Sequence, residues 1–404
     1  MQIYLVGGAV RDKLLGLPVR ERDWVVVGAT PEELMQQHFQ PIGKDFPVFL
    51  HPQTKEEYAL ARTERKTGRG YTQFQFYSTP EVTLEEDLKR RDLTINAMAM
   101  TEEGQLIDPY HGFKDLQDKI LRHVSDAFIE DPVRILRVAR LYTRFSSLGF
   151  KIAPETMKLM RTMVTNGEVN HLVAERVWQE LQRAIQEPEP QQFFICLREC
   201  GALAVLFPEL DRLYGVPSPP KWHPEIDTGV HTMMVLKQAS LLSSDPVTRF
   251  AALLHDLGKG ITPMELWPRH KGHEEKSVPL VNDLCKRVKA GKDYRELAVL
   301  VARFHGIVHR AAELRPATVL RVIERADAIR RPLRFLQFLL ACEADAKGRP
   351  GHEAEPYPQK DLFLKAFDAV KSVSVKALVE AGLSKEVLVR EIRRERIKAI
   401  VRVL

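Results

Sequence analysis

MQIYLVGGAVRDKLLGLPVRERDWVVVG, residues 1–28, decides how the chain is read. It holds two apolar, strand-like runs, a Gly7-Gly8 turn that opens a short helical stretch, and the triplet Glu21-Arg22-Asp23 at the start of the second run. Strand, glycine turn and helix in succession predict a small α/β unit. Side chains two apart on a strand share a face, so the spacing predicts that Glu21 and Asp23 present two carboxylates together, with Trp24 and Val26 on the other face. Like charges so placed repel, and they persist most readily where cations hold them. Two hard oxygen ligands suit Mg²⁺ carrying the phosphates of a substrate. The plain alternative is a solvated strand end with Arg22 as counterion.

Gly7-Gly8 and Arg11 strengthen the phosphate reading, because backbone N–H groups at a helix N-terminus and a guanidinium converge there on an anion. By itself a Gly-Gly pair is equally a simple strand-to-helix turn. Glu57, opening the run EYALAR, is a third candidate acid, placed to orient an attacking hydroxyl or else a surface residue beside Glu56. A glycine turn for phosphates followed by acids for a metal is the arrangement that phosphoryl transfer requires.

The chain has 404 residues, 44% of them hydrophobic, enough for several buried cores. A formal net charge of +6 favours an anionic partner such as nucleic acid. Four dispersed cysteines, Cys196, Cys200, Cys285 and Cys342, make no disulfide framework and fit a reducing compartment. No leader-like segment and no apolar stretch of membrane-spanning length is seen, so a cytoplasmic protein without a membrane partner is expected. Near residue 125 the texture changes from alternating strands and helices to helical periodicity, interrupted by Pro-rich stretches near 187–192, 214–224 and 348–359. The expectation is an α+β chain: a catalytic head over 1–125, then all-helical regions over 126–222, 223–347 and 348–404.

Two further motifs carry chemistry. In RRDLTINA, Arg90 and Arg91 can hold triphosphate oxygens through forked donors, and Asp92 can accept from a ribose hydroxyl. In EDPVR, Asp131 and Arg134 lie three apart at a helix start, where an acceptor and a set of donors can face one base edge. The alternatives are a capped helix start and a surface ion pair. In the helical part, His231 and the adjacent His255-Asp256 offer imidazole and carboxylate ligands for a divalent metal that activates water. Lys259, His270, His273, His305 and His309 are nearby candidates, and Asp345 is the choice for a closing acid.

LVGGAVRD (5–12), RERDWVVV (20–27), RRDLTINAMA (90–99) and EDPVRILRVARL (130–141) resemble, in order and spacing, the class II tRNA nucleotidyltransferases, the CCA-adding enzymes of the polymerase-β superfamily. The helices that follow, with their His-Asp motif, are similar to the long bacterial form of that family and to the HD phosphohydrolases. The resemblance implies a polymerase-β-type head that adds CCA to the 3' end of tRNA from CTP and ATP. It implies that Gly8, Arg11, Arg91, Arg137 and Arg140 bind the nucleotide, that Glu21 and Asp23 hold Mg²⁺, and that Asp131 and Arg134 select the base. The family usually has Asp-x-Asp where this chain has Glu21, a residue one methylene longer that supplies the same oxygen ligand. For the HD part it implies His231, His255, Asp256 and Asp345 as metal ligands, with phosphatase, 2'-nucleotidase and 2',3'-cyclic phosphodiesterase activities often supported by Ni²⁺. The basic helices, such as VREIRRERIKAIVRV, would grip the tRNA acceptor arm. Monomer and homodimer both stay open. Two rivals remain: a bacterial poly(A) polymerase, which carries Gly-Arg-Arg-Phe where this chain has Gly43-Lys44-Asp45-Phe46, and an RNA-binding protein with an inactive head.

Overall fold

The computed structural model describes every residue except 43–47, 67–73, 221–224, 375, 377–378 and 380–383, so the stretch that distinguishes the poly(A) polymerase rival lies outside the described residues. The chain divides into two units, Met1–Leu206 and Phe207–Leu404.

In the first unit the opening stretch forms β1 (Gln2–Val6), a helix over Gly8–Leu14 and β2 (Asp23–Val27). Next come β3 (Gln40–Ile42), β4 (Val48–Leu50) and β5 (Glu57–Leu60), a hairpin of β6 (Thr63–Lys66) and β7 (Phe74–Tyr77), then β8 (Ala99–Met100) and β9 (Leu106–Ile107). The main sheet has the order β3-β4-β5-β2-β1-β8-β9. Both faces of β2 are covered, as alternation along a strand dictates. Val25 packs with Val6, Leu88, Ala97 and Ala99, while Val26 packs with Leu34, Phe49 and Leu60.

Register decides what stands at the end of this sheet. β1 and β2 run antiparallel with Val6 opposite Asp23, and β2 and β5 run parallel with Asp23 opposite Glu57. The ladder stops there because β1 gives way to Gly7, whose φ of +68° turns the chain into the helix. Glu21 therefore precedes β2, and the expected pair of acids on one strand is corrected to one acid on the strand and one just before it.

Beyond residue 125 helices dominate, with β11 (Lys151–Ile152) the one named strand among the described residues, paired in parallel with β10 (Ile120–Leu121). The apolar spacing of the helix Val133–Phe145 buries Ile135, Leu136, Val138 and Ala139 against the helices Ala174–Gln186 and Gln191–Glu199.

The second unit is a helical bundle built on Thr228–Leu242, Pro246–Leu253, His273–Arg287, Lys292–His309 and Pro332–Lys347. Gly258 lets one turn lie directly on another: a Cβ there would sit 2.1 Å from the carbonyl oxygen of His273. Its N–H donates to Ser277 Oγ at 2.8 Å, and Ser277 Oγ donates to the His273 carbonyl at 2.9 Å. All four cysteines are buried free thiols. Among the described residues no helix is long and apolar enough to cross a membrane.

Candidate active sites

A cleft of about 760 Å³ in the first unit is lined by Gly7, Gly8, Glu21, Asp23 and Glu57 on the sheet side. Arg11, Arg91, Asp131, Arg134, Arg137 and Arg140 line it as well, so every nucleotide-site residue expected from the sequence meets in one place. Asp23 is exposed to this cleft. Partial desolvation pushes its carboxyl up, Arg91 pulls it down, Glu21 pushes it up again and Arg137 pulls it down, with a net rise. The push from Glu21 places a second carboxylate near Asp23, and two such acids fit a divalent cation.

The arginines arrive by different routes. Arg91 approaches the strand end because Gly7 carries no side chain: a Cβ there would lie 2.8 Å from Arg91 Nη1. Arg91 Nη2 also donates to Asp87 Oδ2 at 3.2 Å. Arg137 Nε donates to Asp92 Oδ2 at 2.7 Å, and the Arg137 side chain stays 38% exposed, leaving part of its fork toward the cleft. Asp92 also accepts from the Leu93 N–H and from Asn96 Nδ2, at 2.8 and 3.0 Å. Burial would push the Asp92 carboxyl up, but Arg137 and these donors hold it well below the usual carboxylate range. Asp92 is thus a brace for the cleft wall, and the expected ribose contact competes with three protein donors.

Arg11 and Arg140 are also braced. Arg11 is buried, donating from Nε and Nη2 to Asp12 Oδ1 at 2.9 and 2.7 Å and from Nη1 to Asn96 Oδ1 at 2.5 Å. Arg140 Nε donates to Glu180 Oε2 at 2.5 Å. The two residues of EDPVR do not bond to each other here. Asp131 accepts from both terminal nitrogens of Arg176, at 3.1 and 2.8 Å, and caps the Val133 N–H at 3.1 Å. Arg134 donates to the carbonyls of Ala127 and Arg90, at 2.6 and 2.5 Å. Sequence reasoning missed Arg176. The available signal was its spacing with Glu180, four apart on one face of an amphipathic helix, where the two reach Asp131 and Arg140.

The second site lies in the helical bundle and is almost fully buried. His231, His255 and Asp345 bring ligand atoms within 4.8 Å of one another, and so do Asp256, His273 and His305. Asp256 joins the two groups: its Oδ2 is 3.1 Å from His255 Nε2, and its Oδ1 is 3.1 Å from His273 Nε2 and 3.4 Å from His305 Nε2. His255, His273 and His305 are anchored through Nδ1 to the backbone carbonyls of Ala252, His270 and Val301, while His231 Nδ1 lies 2.8 Å from Glu225 Oε1 and 3.2 Å from the Gly348 carbonyl. A carbonyl can only accept, so in these three rings Nδ1 carries a proton and Nε2 faces a carboxylate oxygen. Burial would lower the His231 imidazole, but Asp345 at Nε2 and Glu225 at Nδ1 push it up to about 9. His255 Nε2, His273 Nε2 and Asp256 Oδ1 are buried without a hydrogen-bond partner. Lone pairs facing lone pairs in a buried pocket call for a cation, and this donor set fits a divalent metal. Lys259 Nζ lies 2.6 Å from Asp256 Oδ2. His270 turns elsewhere, its Nε2 meeting the Pro217 carbonyl at 2.7 Å.

Residues 3–122 match the family description "Poly A polymerase head domain", 149–214 match "Probable RNA and SrmB- binding site of polymerase A", and 228–331 match "HD domain". A multifunctional CCA protein of Nitrosococcus oceani is 61% identical over 400 residues, covering 99% of this chain and 98% of that protein. One from Thioalkalivibrio sulfidiphilus is 61% identical with the same coverage. Among solved structures, the Bacillus stearothermophilus CCA-adding enzyme in complex with CTP superposes with a TM-score of 0.64 at 22% identity, covering 97% of this chain and 87% of that one, which establishes a shared fold.

The Asp92 brace has a pH signature. A carboxyl whose folded-state pKa lies below its unfolded value of about 3.9 contributes stability above that pH and loses the contribution as pH falls below it. Asp92→Asn should cost about 2 kcal/mol near neutral pH, the scale of a hydrogen-bonded charged contact. Urea unfolding at a series of pH values should show the gap to wild type shrinking below about pH 4. A gap independent of pH would contradict the charged brace.

Proposed function

Because the chain belongs to the family of multifunctional CCA proteins, we propose that it completes tRNA 3' ends, adding C, C and A from CTP and ATP without a nucleic-acid template. The observation that carries this reading is the strand end where Asp23 stands opposite Glu57 in an arginine-walled cleft. The RNA's terminal hydroxyl oxygen attacks the α-phosphorus of the incoming nucleotide, and the bond to the bridging oxygen breaks so that pyrophosphate leaves. Glu21 and Asp23 would hold Mg²⁺, which when bound neutralises developing charge and aligns attacker with leaving group. Glu57 accepts a hydrogen bond from the attacking hydroxyl. Arg91 and Arg137 face the triphosphate, and their forked donors suit its oxygens. Asp131 and Arg134 serve the base edge, with Arg176 holding the acid in place. Cytosine and adenine each offer an amino donor beside a ring acceptor, whereas uracil and guanine offer a carbonyl at that place. In this reading residues 1–125 are the catalytic head, the basic helical surfaces bind the acceptor arm, and the protein works in the cytoplasm.

The second site supports a separate hydrolase. Its buried set of His231, His255, Asp256 and Asp345 suits a divalent ion, Ni²⁺ among them, and Asp256 with His273 and His305 offers room for a second. A metal held there supplies an activated water for phosphate esters. The activities proposed are phosphatase, 2'-nucleotidase and 2',3'-cyclic phosphodiesterase, with Lys259 beside the substrate phosphate.

The two sites should separate by mutation. Asp23→Asn replaces a charged ligand oxygen by a neutral one and should cut nucleotide addition by orders of magnitude, while hydrolysis of a 2',3'-cyclic nucleotide persists. His255→Ala should do the reverse. Near-normal addition by Asp23→Asn at ordinary Mg²⁺ would remove the two-carboxylate mechanism, and equal loss of both activities in a folded variant would remove the separate hydrolase.

Base selection gives an independent test. Asp131→Ala and Arg176→Ala should each lower the preference for CTP over UTP by about 1–3 kcal/mol, the scale of one bidentate base contact. Incorporation ratios measured for both variants check this. A ratio unchanged in both would mean that the base is read elsewhere.

A further inference from the structure

We propose that Tyr357, acting through His309, fixes the orientation of Asp345 and so completes the metal-binding geometry of the His-Asp site; this rests on the hydrolase reading above. Tyr357 lies beyond residues 228–331, the stretch matched by the HD description, at the cap of the helix Pro358–Ser372. Its hydroxyl oxygen is 2.9 Å from His309 Nδ1, and His309 Nε2 is 2.7 Å from Asp345 Oδ2. The other oxygen of the same carboxylate, Oδ1, faces His231 Nε2 at 3.0 Å and His255 Nε2 at 3.5 Å.

His309 is wired opposite to its neighbours. In His255, His273 and His305 the carbonyl-anchored Nδ1 leaves Nε2 turned toward the site, and His231 meets a carboxylate at each nitrogen, Glu225 at Nδ1 and Asp345 at Nε2. In His309 it is Nε2 that meets a carboxylate, which can only accept, so Nε2 carries the proton. Nδ1 of the neutral ring is then the acceptor, and the tyrosine hydroxyl donates to it. Burial pushes the Tyr357 phenol up, which keeps it protonated and a donor. His309 is therefore a positioning residue for Asp345 rather than a ligand. It leaves Oδ1 for the metal while it holds Oδ2, the role that outer hydrogen bonds play around metal ligands.

The tail is pinned at this point by more than one contact. The Tyr357 ring packs on the His309 ring with centroids 5.8 Å apart, Gln359 Nε2 donates to the His309 carbonyl at 3.4 Å, and Lys360 Nζ donates to Glu343 Oε2 at 2.5 Å. Glu343 and Asp345 lie on one helix, Pro332–Lys347, so the start of the next helix is tied to the segment that carries the closing acid.

The test is calorimetric titration of NiCl₂ into metal-stripped full-length protein, for wild type, Tyr357→Phe, His309→Gln and the double variant, with CCA addition and circular dichroism as checks on folding. Tyr357→Phe keeps the ring and removes only the hydroxyl. It should weaken Ni²⁺ binding about tenfold or more, as loss of an outer-shell partner does, and leave CCA addition unchanged. In the His309→Gln background the same change should add nothing, because the hydroxyl acts only through the ring nitrogen. Unchanged Ni²⁺ affinity in folded Tyr357→Phe, or independent losses that add in the double variant, would overturn the proposal while the hydrolase reading stands. A wild type that neither binds Ni²⁺ nor hydrolyses a 2',3'-cyclic nucleotide would overturn both.

Discussion

Three carboxylates gathered at one strand end need positive charge to stay there, and the catalytic head is arranged around that need. The sheet register brings Glu57 beside Asp23, and Glu21 comes in from the chain before β2. Arg91 reaches the same point through the space that Gly7 leaves empty, and Arg137 is braced by a buried Asp92. Each brace is itself charged, so the walls of the cleft form a network in which removing one partner leaves another unmatched. That is a costly way to build a stable core. It is an effective way to hold cationic donors rigidly where the proposed triphosphate and metal would meet.

The bundle solves a similar problem with imidazoles instead of arginines. Backbone carbonyls hold Nδ1 of His255, His273 and His305 so that their Nε2 atoms face Asp256 and Asp345, while His231 is held between Glu225 and Asp345. Backbone packing supports this arrangement, since Gly258 allows the turn after Asp256 to rest on the first turn of the helix that starts at His273.

Much of this was readable from residue order. Short apolar runs around Gly7-Gly8 indicated the strand-turn-helix start, and the change to three- and four-residue spacing indicated the helical remainder. The cleft residues Gly8, Arg11, Glu21, Asp23, Arg91, Asp131 and Arg134 were nameable because their motifs are local, and Arg137 and Arg140 through the family resemblance. What was not legible depends on register and on distant partners. Period-two reasoning placed Glu21 on a strand, but the ladder ends at Asp23 because β1 ends at Val6, just before Gly7, a fact about the neighbouring strand. EDPVR suggested an acceptor and donors meeting one base edge, but nothing local to it indicated that Asp131 is clamped by Arg176, 45 residues away. Asp345 was a reasonable choice for the closing acid, yet the inward aim of the histidines is set by carbonyls that no motif encodes.

The central claim is that the arginine-walled cleft adds a defined trinucleotide without a template. The most direct measurement incubates the full chain with tRNA lacking its 3' end and Mg²⁺, supplying CTP alone, ATP alone, or both, and resolves the products at single-nucleotide resolution. The account predicts C, C and then A, with CTP alone halting before the terminal A. A growing tail of A from ATP alone, or no extension under any condition, would contradict it.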